Sequence, residues 1–253
     1  MIGQATARVE SSWKRHFQSA FGTPYFPSRQ KWAAVWPRLS ELPSSPLRVL
    51  DAGCGGGAWC SELAARRPKW SIVGLDRDAG RLLRAEEMAR RLSLNNVSFA
   101  QSDFFSYAPQ QQFDVVLSVC SAHYLAEQGK GEELFARFGS WLTSTGGLFL
   151  LGPRTVEESS YVGWLSEPDA HRVFSAIELE HLCTAAHLKI EQLVPVLSAA
   201  GAIAHQLTIS PARGAPGRAA LFPIQVLLSW VDARQSVQLS KKSAWWFLVA
   251  RPT

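Results

Sequence analysis

The stretch Arg48-Val-Leu-Asp51-Ala-Gly53-Cys54-Gly55-Gly56-Gly57-Ala58-Trp59 constrains this chain more than any other. Val49 and Leu50 read as the end of a buried strand, which Asp51 closes. The glycines at 53, 55, 56 and 57 then make a turn. With no Cβ, they let the backbone bend sharply and let a ligand come close. Ala58 opens a helix expected to run to about Arg67. Strand, glycine turn and helix in that order turn backbone N–H groups and a positive helix end toward a ligand. The same residues satisfy two templates. Gly53-Cys-Gly55-Gly-Gly-Ala58 fits the dinucleotide fingerprint G-x-G-x-x-G/A, and Asp51 to Gly57 fits D-x-G-x-G-x-G. The rest of the chain has to decide between them.

From Leu47 onward strands and helices alternate. The pattern predicts strands at 47–52, 71–76, 97–101, 113–119 and 148–151. Helices are predicted at about 57–67, 78–93 and 131–143, with Gly146-Gly147 turning the chain into the fifth strand. The fourth strand, Phe113 to Val119, is apolar enough to be buried on both faces. Ser175-Ala-Ile-Glu178 has the form of a capping box and starts a helix to about His187. Leu188 to Val194 reads as a sixth strand and Trp245 to Ala250 as the last, placed to pair with the sixth. Strands joined by helices imply a parallel sheet with ligands at the carboxyl ends of the strands. Asp51, Asp76, Asp103 and the segment Ser118 to Tyr124 all fall at such ends.

Ahead of this core, residues 1–27 suggest a short helix and an irregular segment, and residues 28–39 a helix that stops at Pro37. Trp32 and Trp36 share a helix face, for core packing or for an aromatic pocket. The chain of 253 residues suits one large domain with a small cap. The net charge of +5 admits an anionic or nucleic-acid partner without requiring one. The four cysteines show no metal-ligand spacing and read as buried thiols of a cytoplasmic protein. No basic-then-apolar leader is seen at the N-terminus. No apolar run reaches the ~18–20 residues a bilayer needs.

Taken together these pieces resemble class I S-adenosylmethionine-dependent methyltransferases over about 47–195 plus 245–250, nearest the bacterial group acting on small molecules. The resemblance implies an α/β, Rossmann-like seven-stranded sheet, mostly parallel with an antiparallel last strand and flanked by helices. It adds an N-terminal helical extension (1–46), a candidate lid (153–174) and an insertion (196–240) over the acceptor pocket. It implies S-adenosyl-L-methionine as the cofactor. Asp51 with Gly53, Cys54 and Gly55 would hold the methionine portion, whose ammonium needs an anion. Asp76 would accept the ribose hydroxyls and Arg77 lie over the adenine. Asp103, with Ser102 beside it, would accept the adenine amino group. Phe104 would pack on the ring, and the carbonyls of Val119 and Cys120 would line the methionine end. His123 and Tyr124 would face the acceptor, with His123 a candidate general base. Tyr25, Arg154, Tyr161 and Trp164 are candidate acceptor contacts.

A nicotinamide-dependent dehydrogenase is disfavoured, because none of Tyr25, Tyr107, Tyr124 and Tyr161 has a lysine four residues on. A nucleic-acid methyltransferase is a weaker alternative. Such enzymes often carry Asn/Asp-Pro-Pro-aromatic after the fourth strand, where this chain has Ser118-Val-Cys-Ser-Ala. A methyltransferase fold turned to another reaction stays open, since fold does not fix chemistry. The expectation is a cytoplasmic, metal-independent transferase of specialised metabolism, methylating O or N of a small acceptor. The mostly apolar run Leu221 to Val231 suits a pocket cover, a dimer contact or peripheral contact with a membrane surface. The oligomeric state is left open.

Overall fold

A computed structural model describes residues 29–126, 128–153, 174–196 and 245–253, with isolated positions at 200, 203, 224, 227, 228 and 231. Helix α1 (Arg29–Glu41) is followed by β1 (Arg48–Ala52), α2 (Ala58–Arg66), β2 (Ser71–Asp76), α3 (Ala79–Arg91), β3 (Val97–Gln101) and β4 (Phe113–Val119). Then come α4 (His123–Ala126), α5 (Gly131–Trp141), β5 (Leu142–Pro153), α6 (Ala176–Ala185), β6 (Leu188–Val196) and β7 (Trp245–Pro252). The strands form one seven-stranded sheet in the order β3-β2-β1-β4-β5-β7-β6. Strands β1 to β5 pair in parallel, and β7 runs antiparallel between β5 and β6. This is the architecture anticipated from the alternation. The order reverses between β1 and β4, which opens a crevice at their carboxyl ends.

Both faces of the sheet are covered, so the central strands carry apolar residues on both faces rather than on one. Val49, Val115, Leu117, Phe149, Leu151, Phe247 and Val249 pack into one layer with α1 and α2. Leu50, Val116, Leu148, Leu150, Leu248 and Ala250 pack into the other with α5 and α6. The α1 side is held by an aromatic stack. Trp32 lies on Trp36 (centroids 4.8 Å apart, 16° between planes) and against Trp59 of α2 (4.8 Å). The Arg66 and Arg67 guanidinium groups cover these rings. The two tryptophans that share a helix face are therefore core.

Two boundaries differ from the sequence expectation. Helix α1 passes through Pro37 and ends at Glu41. Proline costs ~3 kcal/mol inside a helix. Here Leu39, beyond it, is fully buried with Val35 and Trp32, and that packing carries the helix past the proline. Strand β5 begins at Leu142 and includes Gly146-Gly147. Leu142 pairs with Phe113, the register then shifts, and pairing resumes at Gly147 opposite Val115. A Cβ on Gly146 would lie 3.0 Å from the Phe113 carbonyl oxygen and 3.1 Å from that of Asp114. Glycine is needed there for a bulge pressed against its partner strand, not for a turn.

The capping box forms as expected, with the Glu178 N–H donating to Ser175 Oγ at 3.0 Å. The N-terminal segment with Trp13, Tyr25 and Phe26, the candidate lid with Arg154, Tyr161 and Trp164, and most of the insertion lie outside the described residues. Among the described residues no helix is long and apolar enough to cross a membrane.

If packing carries α1 past its proline, Leu39→Ala should lower stability by about 2–5 kcal/mol. Pro37→Ala, at an exposed position, should raise it. Denaturant midpoints of the two variants check both signs.

Candidate active site

The glycine loop is hooked onto the end of β2. The Leu75 carbonyl accepts two N–H groups, from Gly53 (2.8 Å) and Cys54 (2.9 Å). The Gly55 N–H donates to Asp76 Oδ2 at 2.8 Å, and Asp76 Oδ1 accepts the Asp78 N–H at 2.9 Å. Gly53, Gly55 and Gly57 are left-handed, at φ 83°, 55° and 72°. Their reasons differ. A Cβ on Gly53 would lie 2.3 Å from the Ser121 Cβ, and one on Gly57 would lie 2.6 Å from the Ala85 Cβ. Gly55 and Gly56 have nothing within 4 Å of that position, so their backbone faces open space.

Asp51 lies at the floor of the loop and is buried. Cys60 Sγ, in the first turn of α2, donates to its Oδ2 at 3.2 Å. Desolvation by burial raises the Asp51 carboxyl to about 7. The Cys60 bond works against the rise and the Asp76 charge adds to it. Asp76 is buried as well, yet among the described residues each oxygen takes one backbone N–H. A carboxylate has about four acceptor positions, so some remain. Arg77 and Asp103 are exposed. The Ser102 N–H donates to the Asp76 carbonyl at 3.2 Å, which ties β3 to β2. Asp103 caps its own turn: Oδ1 accepts the N–H groups of Phe105 and Ser106, and Oδ2 accepts Ser106 Oγ. Those bonds lower its pKa. The Phe104 ring points from the same turn toward Gly53 and packs edge-on to Phe138 and Trp141.

At the end of β4, Val119 is half-buried and Cys120 adopts a left-handed φ of 55°. For a residue with a side chain this is a strained turn. Ser121 Oγ donates to the Ala52 carbonyl at 2.7 Å and shares a 2.8 Å hydrogen bond with Ser118 Oγ. These bonds clamp the β4 turn onto the β1 turn. His123 opens the short helix α4. Its Nδ1 is sealed from solvent and has no hydrogen-bond partner among the described residues. Burial lowers its pKa to about 4, with the Lys31 charge adding to the effect. That is the environment of a neutral hydrogen-bonding imidazole, not of a strong general base. Tyr124 is 59% exposed and lies over the His123 ring at 4.1 Å.

The sequence expectations therefore come together at one edge: Asp51, the glycine loop, Asp76, Ser102, Asp103, Phe104, Val119, Cys120 and His123. Tyr25, Arg154, Tyr161 and Trp164 fall outside the described residues. Sequence inspection missed four participants. Ser121 and Cys60 support the loop, and Lys31 and Trp245 border Cys120 and the end of β5. Serines three apart after a strand were a faint signal for the Ser118–Ser121 pair. Nothing local signals Lys31, because only the docking of α1 brings it here.

A ligand on this edge meets a buried carboxyl beneath the loop, which suits a cation and opposes a pyrophosphate. S-adenosylmethionine carries a sulfonium and an ammonium at one end, and ribose hydroxyls further along. The comparisons agree. A family model described as a methyltransferase domain matches residues 43–189. The chain belongs to the class I S-adenosylmethionine-dependent methyltransferases.

This methyltransferase is 38% identical over 90 residues to a release factor glutamine methyltransferase of Escherichia coli, across 36% of this chain and 32% of that protein. It is 32% identical over 124 residues to a trans-aconitate 2-methyltransferase of Methylobacterium nodulans, across 49% of this chain and 45% of the relative. It thus matches only a third to a half of the length of these relatives. Among solved structures, a geranyl diphosphate C-methyltransferase of Streptomyces coelicolor, holding S-adenosyl-L-homocysteine, superposes with a TM-score of 0.62. That match has 16% identity and covers 93% of this chain and 88% of the other. S-adenosylmethionine is the cofactor of the family, and the open glycine backbone and the acceptor positions left on Asp76 fit it.

The Asp51 carboxyl carries a pH signature. It holds its proton in the fold up to about 7, whereas the unfolded chain loses it near 3.8. Stability therefore falls as pH rises between these values, by up to about 4 kcal/mol. His123 acts oppositely, since its lowered pKa removes stability as pH falls from 6.5 toward 4. Asp51→Asn isolates the first effect. Its stability advantage over wild type should grow from pH 4 to 7 and level off above, as read by denaturant unfolding without cofactor.

Proposed function

We propose that this methyltransferase moves the methyl group of S-adenosylmethionine to an oxygen or nitrogen of a small-molecule acceptor. The observation that carries this is the state of His123, the expected acceptor-facing side chain. It is neutral, deeply set, and positioned beside the strained Cys120 turn at the crevice. A sulfonium carbon already has a good leaving group, so the protein's main task is alignment, worth up to ~7–11 kcal/mol in well-oriented models. Asp51 and the loop backbone hold the methionine end, and Asp76 holds the ribose. Asp103 and Phe104 form the adenine side. His123 orients the acceptor by hydrogen bonding, and the acceptor atom brings its lone pair without needing this ring to store a proton.

A protein amide is the second candidate acceptor, on the strength of the segment shared with release factor glutamine methyltransferase. A labelled methyl donor offered in parallel with small acids, phenols and amines, and with ribosomal and release-factor fractions, separates the two. Label confined to the protein fractions would overturn the small-molecule assignment.

S-adenosyl-L-homocysteine should bind at a single site with micromolar affinity by calorimetry, and NAD should not bind. Asp76→Ala should weaken that binding roughly 10–100-fold, the scale of hydrogen bonds to a charged group. Once an acceptor is known, His123→Gln should keep turnover within about tenfold, because a true general base contributes about 10²–10⁴-fold. A larger loss, with a lost arm of the pH–rate profile, would restore the base role.

A further inference from the structure

Lys31 is the basic residue that neither the cofactor nor the fold accounts for. It lies in the first turn of α1, next to the stacked Trp32. Its Nζ is 4.8 Å from the centre of the Trp245 ring, at the point where β7 starts beside the carboxyl end of β5. The Lys31 charge also acts on the Cys120 thiol and offsets part of the rise that burial gives it. It is also the charge that acts on His123. Among the described residues no carboxylate pairs with it. Lys31 is partly buried, its Nζ sits over a ring, and among the described residues it has no counter-charge. The buried His123 Nδ1, on which the same charge acts, also has no hydrogen-bond partner among the described residues. Cys120 adjoins Ser121, whose Cβ abuts Gly53, so this cation stands beside the loop expected to hold the methyl donor.

We infer that Lys31 is the acceptor-binding cation of this enzyme, and that the acceptor is a small molecule bearing a carboxylate, which docks on Lys31 between Trp245 and Cys120. One ammonium matches one carboxylate. A phosphate dianion is better matched by two cations, so the relative binding of a carboxylate and a phosphate probe tests this choice. The Trp245 ring beside it suits an acceptor with an apolar or aromatic body. This rests on the proposed small-molecule function and names its substrate class.

The test is calorimetric titration of the protein saturated with S-adenosyl-L-homocysteine. The probes are hydroxybenzoates and short dicarboxylates, their matched amides, and phenyl phosphate, against wild type, Lys31→Met and Lys31→Arg. At least one carboxylate should bind tenfold or more tightly than its amide and more tightly than phenyl phosphate. Lys31→Met should abolish that preference and leave S-adenosyl-L-homocysteine affinity within threefold, which also reports that the variant is folded. Lys31→Arg should retain the preference. Equal binding of acids and amides, tighter binding of the phosphate, a preference surviving in Lys31→Met, or no carboxylate bound at all would overturn the inference. Failure of S-adenosyl-L-homocysteine to bind wild type would instead bring down the proposed function beneath it.

Discussion

The end of strand β2 fixes the cofactor side of this molecule. Two N–H groups converge on the Leu75 carbonyl and a third on the Asp76 carboxylate, and all three come from the glycine loop. A loop with three left-handed glycines has a large conformational freedom to lose. These bonds, with the Ser121 contact at Gly53, define its shape before any ligand arrives. Asp76 holds the loop by one oxygen, and under the proposed function its remaining acceptor positions serve the ribose. Removing its carboxylate would then disturb the loop together with the ligand contact.

The charge distribution around the crevice is unusual for its sparseness. The carboxyl at the loop floor is buried enough to be held near neutrality, the imidazole at the end of β4 is kept uncharged, and the neighbouring thiol stays protonated. If Asp51 meets the cofactor's cationic end as proposed, it is drawn toward its charged form and binding is coupled to proton release near neutral pH. On the acceptor side the positive charge comes from α1, which lies outside the alternating core. In the proposed arrangement strand ends and the loop serve the donor, and the first helix reaches over to the acceptor.

Most of the sheet was legible in the chain because its strands are apolar on both faces and each closes on a polar or glycine signal. Asp51, Asp76 and Asp103 could be placed at strand ends by that rule alone. What escaped was set by contacts distant in sequence. Pro37 looked like a helix stop, but the burial of Leu39 overrode it. Gly146 looked like a turn, yet its constraint is the carbonyl of Phe113 across the sheet. His123 was recognisable as a residue at the crevice. Its weak basicity was not, since burial and the Lys31 charge both arise from packing. Cys60 and Lys31 carry no local pattern at all.

The aromatic stack between α1 and α2 has a consequence for how such an enzyme can diversify. Trp32, Trp36 and Trp59, under the Arg66 and Arg67 guanidinium groups, fasten the first helix to the same helix that leaves the glycine loop. Position 31 is one residue from this anchor, yet its own side chain faces the crevice and not the stack. Mutation can exchange the charge there and leave the anchor intact. The stack thus acts as a fixed mount with an interchangeable tip, on which acceptor preference can drift over generations while the donor side stays the same.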